Sequence, residues 1–492
     1  MCVYSLAKYI PCAAAVLALA ACTVGPEYVR PAAPVPIAYK ESVGWKIARP
    51  NDARIGQRWW KLFNDPVLSA LEEQVVISNQ NVLAAEAQFR QARALVQQAR
   101  AEYSPLVTTG ASVTRSRRSG SFSSGNNSDS GSSGSGGGAA SVTAFSLPID
   151  LSWEADVWGR IRRSVEASRD NAQASEADLA AAQLSAQAEL AQNYFLLRSQ
   201  DAQKRLLDET VASYQKALEL TRNRYAGGVA ARADLLQAET QLKTTRAQAI
   251  DLGVQRAQLE HAIALLIGKP ASSFSIAPAP MVTVFPEIPA GLPSQLLERR
   301  PDIASAERRM AAANAQIGIA QAAYYPSLIL SASAGLDALR LADWISWPSR
   351  FWALGSAVSQ TVFEGGLRRA QTEEARAAYD ATVASYRQTV LTGFQEVEDN
   401  LATLRILELE SEALQDAVNS SRESSAVTMN QYRAGIVSYL NVIVSQNTAL
   451  ANERSAVDLL GRRLVASVLL IEALGGGWDA ASLGDHAGKA DQ

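Results

Sequence analysis

The chain has 492 residues, a formal net charge of −3 and 19% charged residues. A near-neutral balance leaves no electrostatic footprint for nucleic acid or another strongly anionic partner. Aromatic residues make up 7%, and the helix-forming stretches are dense in Ala and Gln, a composition that suits coiled-coil-like packing better than a globular core.

Residues 1–21 read as an export signal. Lys8 and the terminal amine carry weak positive charge, and the apolar run Tyr9 to Ala21 that follows is too short to span a bilayer. The run ends Leu19-Ala20-Ala21-Cys22, which resembles a bacterial lipobox, with small residues before the Cys that becomes the lipidated first residue. This implies diacylglycerol and palmitate on Cys22; the alternative is a plain secretory signal with an incidental Cys. Cys2 and Cys12 would leave with the signal, so the mature chain would have a single Cys and no disulfide. Residue 23 is Thr, not Asp, which in lipoproteins resembles the outer-membrane sorting pattern. No stretch reaches the roughly 18 apolar residues of a membrane helix, so any crossing must be made by strands.

Residues 22–58 are Pro-rich (Pro26, Pro31, Pro34, Pro36, Pro50) and read as an extended, lipidated tether. Ordered structure is expected from Trp59-Trp60-Lys61-Leu62-Phe63. Asn64 or Asp65 caps the next helix, Pro66 sits in its first turn, and the helix is predicted to run to about Glu102.

The period then changes. From Ser141 to Glu154, Phe145, Leu147, Ile149, Leu151 and Trp153 alternate with Ser146, Pro148, Asp150, Ser152 and Glu154. One greasy and one polar face fit a half-buried sheet or a membrane barrel with a wet lumen. The partner strand is Leu106 to Ser116, with Val107, Thr109, Ala111 and Val113 on one side. Between the two lies Arg117 to Ala140, almost all Ser, Gly and Asn: a flexible loop with no Gly-Lys-Ser/Thr to make it a phosphate cradle.

Arg160 to Ala226 contains no Pro and no Gly, is flanked by Gly159 and Gly227-Gly228, and reads as one helix, roughly 100 Å long. Val229 to Ile267 turns back, with Leu235, Leu242, Ala249 and Leu252, Leu259, Leu266 at seven-residue spacing, as an antiparallel coiled-coil partner. Six prolines from Pro270 to Pro293 form a linker. A helix from about Ser294 to Ala323 leads into a second hairpin. There Leu328, Leu330, Ala332, Ala334 and Leu336 alternate with Ile329, Ser331, Ser333 and Gly335, the return strand is Trp352 to Phe363, and Trp344, Trp347 and Trp352 suggest a bilayer interface. A second long helix (Leu367 to Ala434), a turn at Gly435 and a return helix to Leu474 follow.

The two halves are in register. Gly159-Arg160-Ile161-Arg162-Arg163 matches Gly365-Gly366-Leu367-Arg368-Arg369 at an offset of 206, and Tyr225-Ala226-Gly227-Gly228 matches Tyr432-Arg433-Ala434-Gly435 at 207. This is a tandem duplication. Tyr103 and Pro105 match Tyr324 and Pro326 at 221, so against 206 the second hairpin is 15 residues shorter, a difference the Ser/Gly loop can absorb. The expected division is a signal (1–21), a tether (22–58), a first repeat (59–268, strands about 104–117 and 141–155), a linker (269–293), a second repeat (294–475, strands about 327–338 and 351–363) and a loose tail (476–492). The fold class is mainly α with a β-barrel part, each repeat reading helix, β-hairpin, long helix, return helix. Four strands cannot close a barrel and open edges are not tolerated in lipid, so chains must share one; three give twelve strands, and counting alone leaves two or four open.

With Cys22-Thr23-Val24-Gly25-Pro26-Glu27-Tyr28, Trp59-Trp60-Lys61-Leu62-Phe63 and Arg299-Arg300-Pro301-Asp302-Ile303 with Glu307, the chain from Cys22 to about Gly475 resembles the TolC-like outer membrane efflux factors, in their lipoprotein branch of the OprM/NodT type. The resemblance implies a homotrimer: a 12-strand barrel in outer membrane lipid above a 12-helix periplasmic tunnel. It also implies a periplasmic adaptor, an inner-membrane pump, proton-driven, and export of drugs or other small molecules through one duct. It further implies that the turns at Tyr225–Gly228 and Tyr432–Gly435 close the periplasmic end, with Gly227, Gly228 and Gly435 at the adaptor contact. Asp234 and Tyr432 would sit where a hydrogen bond holds the closed state. An Arg that often joins this link falls here at Val437 and is missing. The Asp positions of the family's constriction fall at Asn441 and Val444, which predicts a less charged gate and weaker cation selectivity.

No catalytic constellation is visible: the two histidines, His261 and His486, lie on a return helix and in the tail. Asp302 and Glu307 are expected to pair structurally with Arg299 and Arg300. A type I protein secretion exit channel and, in a different class, a structural coiled-coil lipoprotein are the alternatives to efflux.

Overall fold

The computed structural model describes residues 23–41, 58–117, 141–281, 285, 286, 288 and 293–483. The expected signal with Cys22, much of the tether, most of the Ser/Gly loop, part of the linker and most of the tail lie outside them. The helices are α1 (Pro66–Ser78), α2 (Gln80–Ala101), α3 (Arg160–Ala226), α4 (Arg232–Leu266), α5 (Pro293–Arg299), α6 (Pro301–Ala322), α7 (Leu367–Arg433) and α8 (Tyr439–Ala473). The strands are β1 (Leu106–Thr109), β2 (Ser112–Arg117), β3 (Ser141–Ala155), β4 (Ser327–Ala338) and β5 (Arg350–Ser359). The long helices α3 and α7 are 67 residues each and the return helices α4 and α8 are 35 each. The chain divides into two compact units: Met1–Val29 with Ala92–Asn171 and Met310–Ala381, and Arg30–Gln91 with Ala172–Arg309 and Thr382–Gln492.

The first unit holds one antiparallel sheet in the order β1-β3-β4-β5, with β2 also on β3. β1 and β2 keep a single register along β3, Thr109 facing Ile149 and Ser112 facing Ser146. The break between them faces Pro148, which has no N–H to offer the ladder. On the other side of Pro148 stands Gly335, where a Cβ would come within 2.3 Å of the Leu147 carbonyl oxygen. Cross-strand partners share a face, so the register carries the alternation through the sheet. Val107, Leu151, Ala332 and Leu354 form one apolar row, and Thr109, Ile149, Ala334 and Trp352 another. Thr108, Asp150, Ser333 and Ala353 lie on the opposite face, where Ser333 Oγ donates to Asp150 Oδ1 at 2.6 Å. Aromatic side chains mark both ends. Trp344 packs on Phe145 with ring centroids 5.7 Å apart, and Trp158 stacks on Tyr325 at 4.7 Å while its indole N–H donates to the Pro326 carbonyl. β5 ends at Ser359 and not near 363; residues 360–364 make no ladder.

α3 begins where Asp156 accepts from the backbone N–H groups of Ile161 (3.0 Å) and Arg162 (2.9 Å), a carboxylate on the positive end of the helix. At α7 the role passes to Glu364, which accepts from Arg368 N at 3.1 Å. Gly159 adopts φ +81° before α3, whereas Gly365 and Gly366 both take positive φ before α7. The extra glycine delays the second helix by one residue, so the helix starts are offset by 207 and not 206, and the hairpins differ by 14 residues (221 against 207).

In the second unit, the heptad positions of α4 reach the core: Ala249, Leu259 and Leu266 are buried, and Leu235, Leu242 and Leu252 pack against buried clusters with residues of α3 and α8. Two helices expected to be continuous are broken. α1 and α2 part at Asn79, whose ψ is 123°. Its side-chain oxygen accepts from Asn81 N and Val82 N and its amide donates to the Leu266 carbonyl at 2.8 Å. α5 and α6 part at Arg300, where Pro301 excludes the helical conformation from the residue before it. Arg300 donates to the Ala473 carbonyl at 3.1 Å. Both breaks are thus fastened to the last carbonyls of a return helix. Each is followed by a glycine in the left-handed region, Gly268 (φ +67°) and Gly475 (φ +91°), where a Cβ would lie 2.2 Å from Ser78 O and 2.0 Å from Arg299 O respectively. Arg300 also pairs with Asp302 (2.7 Å) and Glu396 (2.6 Å), whereas Glu307 meets Arg30 at 3.7 Å, not Arg299 or Arg300.

Around the Arg300 node, burial raises Glu472 to about 7; nearby Glu396 adds to the rise, and a Ser185 hydrogen bond and Arg300 oppose it. A carboxyl raised in the folded state favours folding below its unfolded value and loses that contribution as pH climbs through the folded one. Stability should therefore fall between pH 4.5 and about 7, and Glu472→Gln should flatten that part of a plot of thermal midpoint against pH. Gly475→Ala should cost roughly 2 kcal/mol or more, read as a lowered thermal midpoint; an unchanged midpoint would mean that the Arg299 carbonyl moves freely.

Candidate functional site

The two turns between long and return helices are built alike. Gly228 (φ +74°) and Gly435 (φ +78°) occupy the left-handed position after α3 and α7. Gly228 N donates to Tyr225 O at 3.0 Å and Val229 N to Arg224 O at 2.8 Å; Gly435 N donates to Tyr432 O at 2.9 Å and Ile436 N to Gln431 O at 2.9 Å. This paired pattern satisfies carbonyls that a helix end leaves open, and glycine is favoured because only it adopts positive φ without strain. Gly227 has an ordinary φ. All three glycines are exposed, and each turn presents an apolar side chain outward, Val229 at 69% and Ile436 at 72% exposure.

Behind the turns lies a small core of Leu218, Ala238, Tyr432, Tyr439 and Val442. The Tyr432 and Tyr439 rings are 5.3 Å apart. Burial pushes the Tyr439 phenol up to about 12, with Tyr432, Tyr214 and Asp234 adding to the rise. The expected bond between Tyr432 and Asp234 is not made: the buried Tyr432 hydroxyl bonds Thr221 Oγ1 at 3.3 Å. Thr221 is itself buried and its hydroxyl donates to Ala217 O at 2.9 Å. The phenol is thus drawn toward α3, while Asp234 stands half-buried in the first turn of α4.

The link between the two turns is made by Arg224, near the end of α3. Its Nη1 donates to the carbonyls of Tyr432 and Arg433, both at 3.0 Å, and its guanidinium lies 4.8 Å from the centroid of the Tyr432 ring. A cation on the last carbonyls of α7 is held by charge-assisted bonds and by the negative end of the helix. Sequence reasoning missed this residue. A basic residue in a last turn is a general helix-end signal, but nothing local shows that it caps the other repeat's helix.

Asn441 and Val444 are exposed and line one groove between α7 and α8. Its other walls include Ser420, Ser424, Thr428, Ser445 and Thr448, and no ionisable side chain contributes. Among the described residues no three His, Cys, Asp or Glu side chains are grouped to hold a metal ion, and no helix is long and apolar enough to cross a membrane.

A duplicated chain with an amphipathic antiparallel sheet, paired long helices and glycine-turned helix tips defines a channel that crosses its membrane by strands. It belongs to the outer membrane efflux protein family, whose model matches residues 71–269 and 292–476. The chain is 32% identical over 469 residues to the outer membrane protein OprJ of Pseudomonas aeruginosa, covering 94% of each chain. It is 31% identical to the pyoverdine export outer membrane protein OpmQ of the same organism, over 87% of this chain and 89% of that one. The solved outer-membrane channel OprN superposes with a TM-score of 0.85 at 30% identity, over 93% of this chain and 100% of that one. The protein is an efflux channel of the outer membrane that extends into the periplasm.

Arg224→Ala should free the α7 turn. Amide hydrogen exchange at Gly435 and Ile436 is expected to quicken by about tenfold or more, since a hydrogen bond to a charged group is worth roughly 1.5–3 kcal/mol. Arg224→Lys, which keeps the charge but not the planar group lying on the Tyr432 ring, should fall between. Unchanged exchange in both variants would show that the turn holds without the arginine.

Proposed function

We infer that three copies of the chain close one barrel and form the exit duct of a tripartite efflux system, together with a periplasmic adaptor and a proton-driven inner-membrane pump. The observation that carries this reading is the sheet: one face runs apolar along β3 and β4 and continues on β5, and among the described residues there is no partner for the outer edge of β1 and β2 or of β5. Such edges cannot stand in lipid, and twelve strands from three chains fall within the known sizes of membrane barrels. The purified protein in detergent should run as a trimer and conduct in a planar bilayer; a monomer, or a trimer that never conducts, would overturn the reading.

The adaptor contact is assigned to the exposed turns at Gly227, Gly228 and Gly435, with Val229 and Ile436 as its apolar knobs. The cargo is small molecules, chosen by the pump. Cys22 carries the diacylglycerol and palmitate that tie the N-terminus to the membrane; Cys22→Ser should abolish palmitate labelling and leave barrel insertion intact. Closure of the periplasmic end is given to the tip core and to Arg224, in place of the Tyr432–Asp234 bond.

The groove at Asn441 and Val444 supports a gate of low charge. Reversal potentials in a salt gradient should show a weak cation preference, and Asn441→Asp should strengthen it by placing three carboxylates in a ring. An equally strong preference with and without the substitution would remove the groove from the selectivity path.

A further inference from the structure

Within the described strands, every charged side chain sits on a face set by its sign. Asp150 and Glu154 of β3 and Asp337 of β4 lie on the polar face: Asp150 faces Ser333, Glu154 faces Ile329 and Asp337 faces Ser146. Arg115 and Arg117 of β2 and Arg350 of β5 lie on the apolar face. Arg115 faces Thr143, two residues along β3 from the apolar Phe145–Val113 pair, Arg117 faces Ser141, and Arg350 faces Leu336, which faces Leu147.

The arginines are also confined to one end of the sheet. Arg117 closes β2 and Arg350 opens β5, both at the hairpin-loop end, opposite the end where β3 leads into α3 and α6 into β4. With the helices extending into the periplasm, the arginine end lies toward the outer leaflet. An arginine on the lipid face is costly at the bilayer midplane and tolerated near the interface. Confinement to one rim agrees with that cost. The neighbouring loop is greasy: Ile345 is 84% and Trp347 77% exposed, with Leu339 and Leu341 close behind. Arg350 lies over the Trp347 ring and its Nε donates to the Trp347 carbonyl at 3.1 Å, which leaves its terminal nitrogens for an outside acceptor.

We propose that Arg115, Arg117 and Arg350 form a binding surface for the phosphate groups of an outer-leaflet glycolipid, with the acyl chains lying along the apolar rows beneath. Guanidinium groups take phosphate oxygens in a bidentate fork. The aromatic and aliphatic loop residues suit the sugar and upper acyl region, where amphipathic rings collect. If three chains close the barrel, the β5 edge of one meets the β1 and β2 edge of the next, so a single lipid can bridge Arg350 of one copy and Arg115 with Arg117 of a second. That bridging rests on the trimer reading; the charge segregation within one chain does not.

The test uses the full chain in detergent, with bisphosphorylated lipid A and the same lipid stripped of both phosphates as probes, and reads lipid retention by native mass spectrometry. The phosphorylated lipid should be retained at least about tenfold better, and the preference should shrink as salt is raised from about 0.1 to 1 M. The variant R115Q/R117Q/R350Q should hold both lipids alike while still running as a trimer. Equal retention of the two lipids by the unaltered protein would overturn the proposal, as would a preference that survives the triple substitution. Retention of orthophosphate as tightly as the phosphorylated lipid would exclude a lipid as the occupant. If the triple variant fails to fold, the two-lipid comparison on the unaltered protein still decides. A protein that keeps the lipid preference but runs as a monomer would sink the trimer and leave the arginine surface standing.

Discussion

A strand edge in hydrocarbon has nowhere to place its N–H and C=O groups, and each group left unpaired costs several kcal/mol. This requirement governs the molecule more than any side chain does. The described sheet satisfies its inner ladders and leaves two outer edges, so the unit of function has to be larger than the unit of translation. It also explains the local irregularities. Pro148 cannot donate, and the ladder on its β1–β2 side lapses at that point; on the other side Gly335 lets β4 lie against Leu147 and Pro148 with no Cβ in the way. A proline inside a five-stranded sheet is tolerable because the register resumes on either side, which keeps the apolar rows facing one way.

The duplication shows how one mechanical requirement is met by different chemistry. In both repeats the helix that precedes the hairpin is broken, and the break is fastened to the last carbonyls of the return helix. In the first repeat a neutral asparagine does this and also caps the following helix; in the second an arginine does it, backed by Asp302 and Glu396. The shared parts are the acceptor carbonyls and the glycine after them, whose positive φ lets the chain pass within van der Waals range of the broken helix. Backbone geometry has been held while the side chains drifted. The cost of drift shows at Glu472, whose carboxyl is lifted by the burial and the neighbouring Glu396 that the charged version of the node brings with it.

What could be read from the chain beforehand was whatever repeats with a period. The 67-residue helices, free of Pro and all but free of Gly, the seven-residue spacing of α4 and the strict alternation of β3 are statements about a face, and faces survive assembly. The breaks at Asn79 and Arg300 were hidden because Asn is a tolerable helix residue until a carbonyl from 187 residues away claims its amide; the Pro after Arg300 was the better clue. Glu72 was hidden in a different way. It falls on the buried stripe of α1 with Leu68, Leu71 and Val75, no exposed surface remains to it, and burial raises its carboxyl well above the usual range. A charge in a helix is ordinarily a solvated face, and only the tertiary fold overrules that. At the tip, Gly228 and Gly435 were legible because positive φ leaves a mark in the sequence. The partner of Tyr432 was not, since Thr221 and Asp234 stand on different helices and their spacing along the chain says nothing about which is nearer.

The nature of the tip contacts bears on how the channel opens. A phenol–carboxylate link would have joined two side chains, each free to turn away. Arg224 instead grips two backbone carbonyls, and Tyr432 meets a neutral threonine. An equilibrium of this kind is shifted only by something that binds the open and closed arrangements with different affinity. The exposed Val229 and Ile436 lie within five residues of Arg224 and Tyr432, on the same turns. If a partner covers those two side chains more fully in one arrangement of the turns than in another, that preference would act on the same short stretch that holds the Tyr432 and Arg433 carbonyls to Arg224.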